Sequence, residues 1–563
     1  MIARDRREWR HAFAQSATRL LLPTLVAALL AIGIVLPIGA LLIKSVLDPE
    51  GRFVGAANFT RYAAEPGLAI ATWNSITLSA TATLITIAFA YPFAFALTRS
   101  NMPLKGLFRA VVMLPMLAPS LLPALGLIYL FGTQGILRSW LFGGELYGPV
   151  GIVMASVLYA LPTAVLILSS GLAAGDGRLY EAARALRAGP WRVFFAVTLP
   201  FSRYALLSAS SVVFVLVFTD FGVPTVVGGS TNVLATDIYK LVIGRFDFQL
   251  GAVVGVLLLV PAILAYTIDF AARRAQRATL TGKSIPVVPS RSFRRDAVLM
   301  AFCFVVCAAV LGVIGMAIFG SLVKFWPYNL SFDLGNYRHI ITNDDDGRAV
   351  LASLQLSFWT ALAGAACVAV SGWLVARRIG HRWSLQVVQG LAMLPVAVPG
   401  LVLGLGYIFF FNDPTNPLNI IYASMTILAL CTIAHFYTVP HLMVVGTLLR
   451  ADPEIDLAAR ALHATPTYAA RHIHLPVLLP TLIDAAGYFF VNAMTTVSAL
   501  IFLFTANTRV GSIAVVNLLE GSRYGQAAAL SVVILLLSLL ATLVQISLRA
   551  MILRRQPWQH ATA

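Results

Sequence analysis

Long apolar stretches separated by short polar intervals dominate the pattern along this chain. Twelve of them fall near residues 20–46, 70–98, 107–132, 148–172, 204–226, 248–272, 297–323, 350–376, 384–411, 420–449, 479–505 and 525–552. Each is long enough to cross roughly 30 Å of hydrocarbon as a helix, because a helix satisfies its own backbone hydrogen bonds inside lipid. The first, Leu20 to Val46, exceeds the apolar core of a cleaved leader and is expected to be a retained span. The pattern predicts an all-α membrane protein of about twelve transmembrane helices.

Two of the polar intervals are nearly the same sequence. Residues 182–190 read A-A-R-A-L-R-A-G-P and residues 458–466 read A-A-R-A-L-H-A-T-P, and Leu199-Pro200 recurs as Leu475-Pro476. Met113-Leu114-Pro115 with Pro119 recurs as Met393-Leu394-Pro395 with Pro399. Asn58-Phe59 recurs as Asn336-Tyr337, and Ser75, Leu78 and Ser79 as Ser353, Leu356 and Ser357. The expected organisation is a first repeat over 1–275, a basic linker over 276–295 and a second repeat over 296–563. Six spans per repeat return the chain to its starting side, so the repeats are parallel and related by an axis along the membrane normal.

Composition supports a membrane protein: of 563 residues, 59% are hydrophobic and 11% charged. The net charge of +17 does not point to nucleic acid, because alternate connections differ in Lys and Arg. Arg4, Arg6, Arg7, Arg10 and Arg19, together with Arg273, Arg274, Arg277, Lys283, Arg291, Arg294 and Arg295, all fall on one side. The positive-inside rule makes that side, with both termini, cytoplasmic. The charge orients the chain in its lipid bilayer. Trp9, Phe325-Trp326, Tyr328 and Trp558 suit interfacial anchors. Cys303, Cys307, Cys367 and Cys431 all fall inside predicted spans and read as packing rather than metal ligands.

The repeated interval reads as a short amphipathic helix. Leu179, Ala182, Ala183 and Leu186 share one face, as do Ile455, Ala458, Ala459 and Leu462. Pro190 and Pro466 discourage continuation, and Pro200 and Pro476 are expected where the chain turns back to the membrane. A helix lying flat on the bilayer has the same pattern. Duplication within compact polar loops, 173–203 and 450–478, favours contact with a partner.

Glu181-Ala182-Ala183 followed by Leu199-Pro200 resembles the EAA loop of permease subunits from binding-protein-dependent ABC importers. The resemblance covers both repeats, as in fused permeases of the ferric-iron and thiamine type. It implies a type I importer fold and two cytoplasmic ATP-binding subunits. It also implies a periplasmic solute-binding protein and an ATPase-coupling role for Glu181, Ala182, Ala183, Leu186, Gly189, Leu199 and Pro200. In the second copy the corresponding residues are Asp456, Ala458, Ala459, Leu462, Leu475 and Pro476. Two departures stand out. The family glycine is Arg187 in one copy and His463 in the other, at a position that favours a left-handed backbone; Gly189 is expected to take over the turn in the first. The family glutamate is Glu181 in the first copy but Leu457 in the second, with Asp456 beside it. The two docking contacts are therefore expected to be inequivalent.

No ATPase is visible on the chain. Gly282-Lys283-Ser284 matches the end of a phosphate-binding loop, but Arg277 stands where its first glycine belongs. No other catalytic motif is present. The expectation is a transport subunit that is not an enzyme and carries no cofactor or metal, with ATP and magnesium on the partner. Thr219 and Asp220 in the first repeat, and Asn492, Thr495 and Thr496 in the second, are candidates for a polar translocation pathway; a place at the periplasmic boundary, capping a turn, is the alternative for Asp220. Pro115, Pro119, Pro123, Pro395 and Pro399 are gates or packing kinks. Gly400, Gly404 and Gly406 suit close helix contact, His435 and His441 suit structural roles, and Asp344-Asp345-Asp346 suits a solvated turn or a contact with a delivery protein. Segments 220–229, 235–240 and 324–331 resemble fused permeases assigned to 2-aminoethylphosphonate uptake, with ferric iron and then thiamine as the next cargoes. The competing class is a secondary transporter driven by an ion gradient.

Overall fold

A computed structural model describes residues 21–279, 285, 287–289 and 292–555. Arg4 to Arg19, Trp9, Gly282-Lys283-Ser284, Arg291 and Trp558 lie outside them. Among the described residues, nine helices are long and apolar enough to span a membrane, and three bent helix pairs bring the number to twelve if each is one span. The breaks expected from the prolines in 107–132 and 384–411 are present, and the bend within 420–449 is an addition to the sequence reading. Lys105–Leu117 meets Leu121–Phe131 at 102°, and Arg382–Ala397 meets Gly400–Phe411 at 115°. Proline causes both bends. Its ring excludes the preceding residue from helical geometry, and Ala118 before Pro119 and Val398 before Pro399 are extended. Met425–Phe436 and Thr438–Arg450 meet at 56°, just ahead of Pro440. Its counterpart in the first repeat, Pro149–Ala173, contains Pro162 and continues unbroken. Between the first two spans of the second repeat, Val323–Phe325 and Asn329–Phe332 form an antiparallel hairpin.

The chain divides into two compact units. One comprises residues 45–347 and 512–535. In it, Pro66–Arg99, Pro149–Ala173, Leu199–Phe218 and Phe293–Leu322 surround a core rich in small side chains, including Ala82, Ala90, Ala94, Ala160, Ala164, Ala205 and Ala209. Small residues let helices approach where lipid supplies no hydrophobic drive. Gly126 faces the backbone of Phe293–Leu322; a Cβ there would lie 2.1 Å from the Val313 carbonyl oxygen.

The other unit comprises, among the described residues, 21–44, 348–511 and 536–555. The helix that opens the first repeat therefore belongs with the body of the second. Tyr407 Oη donates to the Gly33 carbonyl at 2.8 Å, deep in the interior. A Cβ on Gly406 would sit 2.5 Å from the Pro37 carbonyl oxygen, and one on Gly404 2.8 Å from that of Ala499. The glycines expected to mark close helix contact do so.

The repeated serines have a structural explanation. Ser75 Oγ accepts from the Leu234 backbone N–H at 2.8 Å, and Ser353 Oγ from that of Gly511 at 2.7 Å. Each caps an orphan donor at a helix start in apolar surroundings, where an unpaired amide costs about 1–3 kcal/mol.

Candidate docking helices and polar positions

The first copy of the repeated interval folds as the helix Gly177–Ala185. Asp176 caps it by accepting from the Arg178 backbone N–H. At its end the Ala188 N–H donates to the Ala183 carbonyl and the Arg187 N–H to the Arg184 carbonyl. This double bond pattern requires a left-handed residue, and Arg187 takes it, with φ 52°. Gly189, expected to supply that turn, has φ −67° and instead precedes the next helix. In the second copy, Pro453–Ala461, His463 has φ 53° and the Ala464 N–H donates to the Ala459 carbonyl. Both copies thus keep the glycine geometry without the glycine. Arg187→Gly or His463→Gly should stabilise the protein by about 0.5–1 kcal/mol, after glycine's extra unfolded-state freedom is subtracted. A rise in melting temperature in detergent checks this; a fall would count against the strain.

Each helix leaves an apolar edge open. Leu186 and Leu462 are both 83% exposed, and Leu179, Ala182, Ile455 and Ala458 are also exposed. Ala183 and Ala459 turn inward instead, at 9% and 8% exposure. Glu181 is exposed, as is Leu457 at the matching position. Asp456 is not part of the open edge. Its Oδ2 lies 2.6 Å from Arg377 Nη1, and its Oδ1 lies 2.8 Å from His474 Nε2. His474 Nδ1 accepts from Trp373 Nε1 at 2.9 Å. Arg377, His474 and Trp373 were invisible to motif reading, because they join three segments distant in sequence.

The chain does not turn at the Leu-Pro pairs. It turns at 187–189 and 463–465, and Pro190 and Pro466 start the next helices. Pro190–Phe218 then runs continuously, with a wide π turn at Phe194–Thr198 immediately before Leu199-Pro200. A matching π turn at Ala470–His474 precedes Leu475-Pro476. A proline within a helix removes one N–H and crowds the carbonyl four residues back. The wider turn absorbs both effects, so the helix enters the core without breaking.

Ile285 and Val288 of the linker lie beside the first candidate docking helix. The Gly177 N–H donates to the Ile285 carbonyl at 2.7 Å, and Asn101 Nδ2 to the Pro289 carbonyl at 2.9 Å.

The pathway candidates are distributed over both units. In one, Thr219 Oγ1 donates to the Val215 carbonyl, and Asp220 Oδ2 accepts from the Val223 N–H at 2.8 Å, capping Gly222–Val227. With Ser75, Ser79, Pro224 and Val233, Asp220 lines a small cavity. In the other unit, Asn492 Nδ2 and Thr495 Oγ1 bond to carbonyls one turn back, and Thr496 is buried. His441 is fully buried between Ser371 and Gln389, which suits a structural residue. Asp344 to Asp346 form the first turn of a helix rather than a free loop, with charge that complements its dipole. Among the described residues, no cluster of His, Cys, Asp or Glu could hold a metal ion.

Asp237, in the short helix Leu234–Tyr239, is nearly enclosed. Burial raises its carboxyl to about 6, against the opposing pull of Lys240 and then Arg245. An acid raised in the folded state contributes stability below its unfolded value near 4, and that contribution is lost as pH rises through about 6. Asp237→Asn should therefore flatten the fall in melting temperature between pH 4 and pH 7. An unchanged slope would assign the pH dependence elsewhere.

Comparison with known proteins identifies the family of the chain. The family model described as binding-protein-dependent transport system inner membrane component matches residues 90–324 and again 368–556. Each match takes in one candidate docking helix and the span that follows it. The chain is 29% identical to the ferric transport system permease protein FbpB of Actinobacillus pleuropneumoniae, over 81% of this chain and 68% of that one. It is 28% identical to the putative ferric transport system permease protein FbpB 1 of Haemophilus influenzae, over 78% and 70%. It is 26% identical to the thiamine transport system permease protein ThiP of Brucella abortus, over 72% and 73%. The chain therefore belongs to the binding-protein-dependent inner membrane component family, as a multi-pass permease subunit of an ABC importer that is not itself an enzyme.

Proposed function

We propose that this subunit carries a small solute from the periplasm to the cytoplasm, with one copy of an ATP-binding subunit docked on each of its two exposed helices. The observation that carries the reading is the matched pair Gly177–Ala185 and Pro453–Ala461, each ending in the same left-handed turn and each offering an open leucine. The reading places both termini and the docking helices in the cytoplasm, in line with the distribution of Lys and Arg. ATP and magnesium belong to the partner. Thr219, Asp220, Asn492, Thr495 and Thr496 are assigned to the pathway, as polar groups near the ends of corresponding spans. Affinity purification from membranes should recover the ATP-binding subunit, and uptake should stop when ATP is depleted. Uptake that survives depletion would return the protein to the gradient-driven class.

For the cargo we propose 2-aminoethylphosphonate, on the resemblance of segments 220–229, 235–240 and 324–331. Ferric iron is the second reading, favoured by the two ferric permeases to which the chain is similar. A deletion strain separates them. Loss of growth on 2-aminoethylphosphonate as sole phosphorus source supports the first. Normal growth there, with lost uptake of radiolabelled iron, replaces it with the second.

A further inference from the structure

One arginine at the end of a span reaches beneath each docking helix, at corresponding places in the two repeats. Arg99 ends Pro66–Arg99, and Arg377 directly follows Asp344–Ala376. The Arg99 guanidinium lies over the Tyr180 ring, 4.8 Å from its centroid, and Nη2 donates to the Leu172 carbonyl at 2.5 Å. Tyr180 Oη in turn donates to Thr198 Oγ1 at 3.1 Å. In the second repeat the same three positions are Arg377, Asp456 and His474, joined at 2.6 and 2.8 Å. Each triangle ties the end of one span to a docking helix and to the last residue of a π turn at the base of the next span.

Stability alone is a weak reason for this arrangement. Arg99 is only 5% exposed, and the Nε of both Arg99 and Arg377 is buried without a hydrogen-bond partner among the described residues. An unsatisfied buried donor is costly. Gly175 leaves the room that Arg99 occupies, since a Cβ there would overlap its Nη2. The chemistry of the two triangles also differs. One is a cation over an aromatic ring and the other a charged hydrogen-bonded pair. Geometry kept while chemistry changes indicates a mechanical requirement.

We propose that Arg99 and Arg377 are positioning residues that transmit movement of the docking helices to the spans. This rests on the docking helices being the ATPase contacts. The wild-type chain should be reconstituted in vesicles with its ATP-binding subunit and binding protein; failure of the wild type to assemble would overturn that underlying reading. Arg99→Met and Arg377→Met should still assemble and hydrolyse ATP, but move at least about tenfold less solute per ATP, equivalent to about 1.4 kcal/mol of lost coupling. A purely structural role would lower the amount of complex and leave solute moved per ATP unchanged, which would overturn the proposal. Should either methionine variant fail to fold, a second comparison decides. Asp456→Ala should uncouple, whereas Asp456→Tyr with His474→Thr, which installs the first repeat's chemistry, should restore coupling. An assembled double variant as uncoupled as Asp456→Ala would overturn the proposal.

Discussion

Leu186→Asp and Leu462→Asp are each expected to reduce solute uptake by about 100-fold or more. Both leucines stand at the ends of the docking helices with 83% of their surface open. Burying a leucine contributes about 1.5–3 kcal/mol. A carboxylate in its place removes that contribution and adds the cost of desolvating a charge. A combined loss near 3 kcal/mol corresponds to about two decades in affinity. Exposed side chains contribute little to the fold, so protein level and melting temperature should be unchanged. Uptake assays paired with recovery of the ATP-binding subunit measure the effect. Wild-type uptake in both variants would remove the docking role of this surface.

Gly126→Val is expected to remove folded protein altogether. Its first added carbon would fall 2.1 Å from the Val313 carbonyl oxygen, against backbone that has no rotamer to move aside. Two helices would have to separate, opening space in a close-packed interior, so the cost exceeds the ~1–3 kcal/mol of overpacking that side chains can absorb. Gly406→Val should act similarly through the Pro37 carbonyl, whereas Gly106→Val meets nothing within 4 Å. Size-exclusion profiles in detergent should show a single folded peak for Gly106→Val and none for Gly126→Val. A normal profile for Gly126→Val would mean that this helix contact is dispensable.

The repeat, the apolar spans and the close-packing glycines were legible because each leaves a periodic or duplicated mark on the sequence. The prolines gave the places of the bends, since the residue before a proline avoids helical geometry. They did not give the angles, which depend on what the following helix packs against. The same residue type misled at Pro200 and Pro476, because a π turn lets a helix carry a proline that would otherwise break it. The left-handed turn at Arg187 and His463 was legible only as a missing glycine; its hydrogen bonds settle which residue adopts it. Asp456 stood beside a family position, yet its carboxylate is committed to Arg377 and His474. No local pattern could reveal that, because the partners lie 79 and 18 residues away in sequence.

The hydrogen bond from Tyr407 to Gly33 spans 374 residues of sequence. At about 5–20 residues per second, the ribosome needs roughly 20–75 s to make the chain between them. During that interval the helix containing Gly33 is already synthesised, but the residues that will cover it do not yet exist. Biogenesis of this protein thus includes an obligatory wait, in which its first hydrophobic segment must be sheltered by lipid or by the insertion machinery.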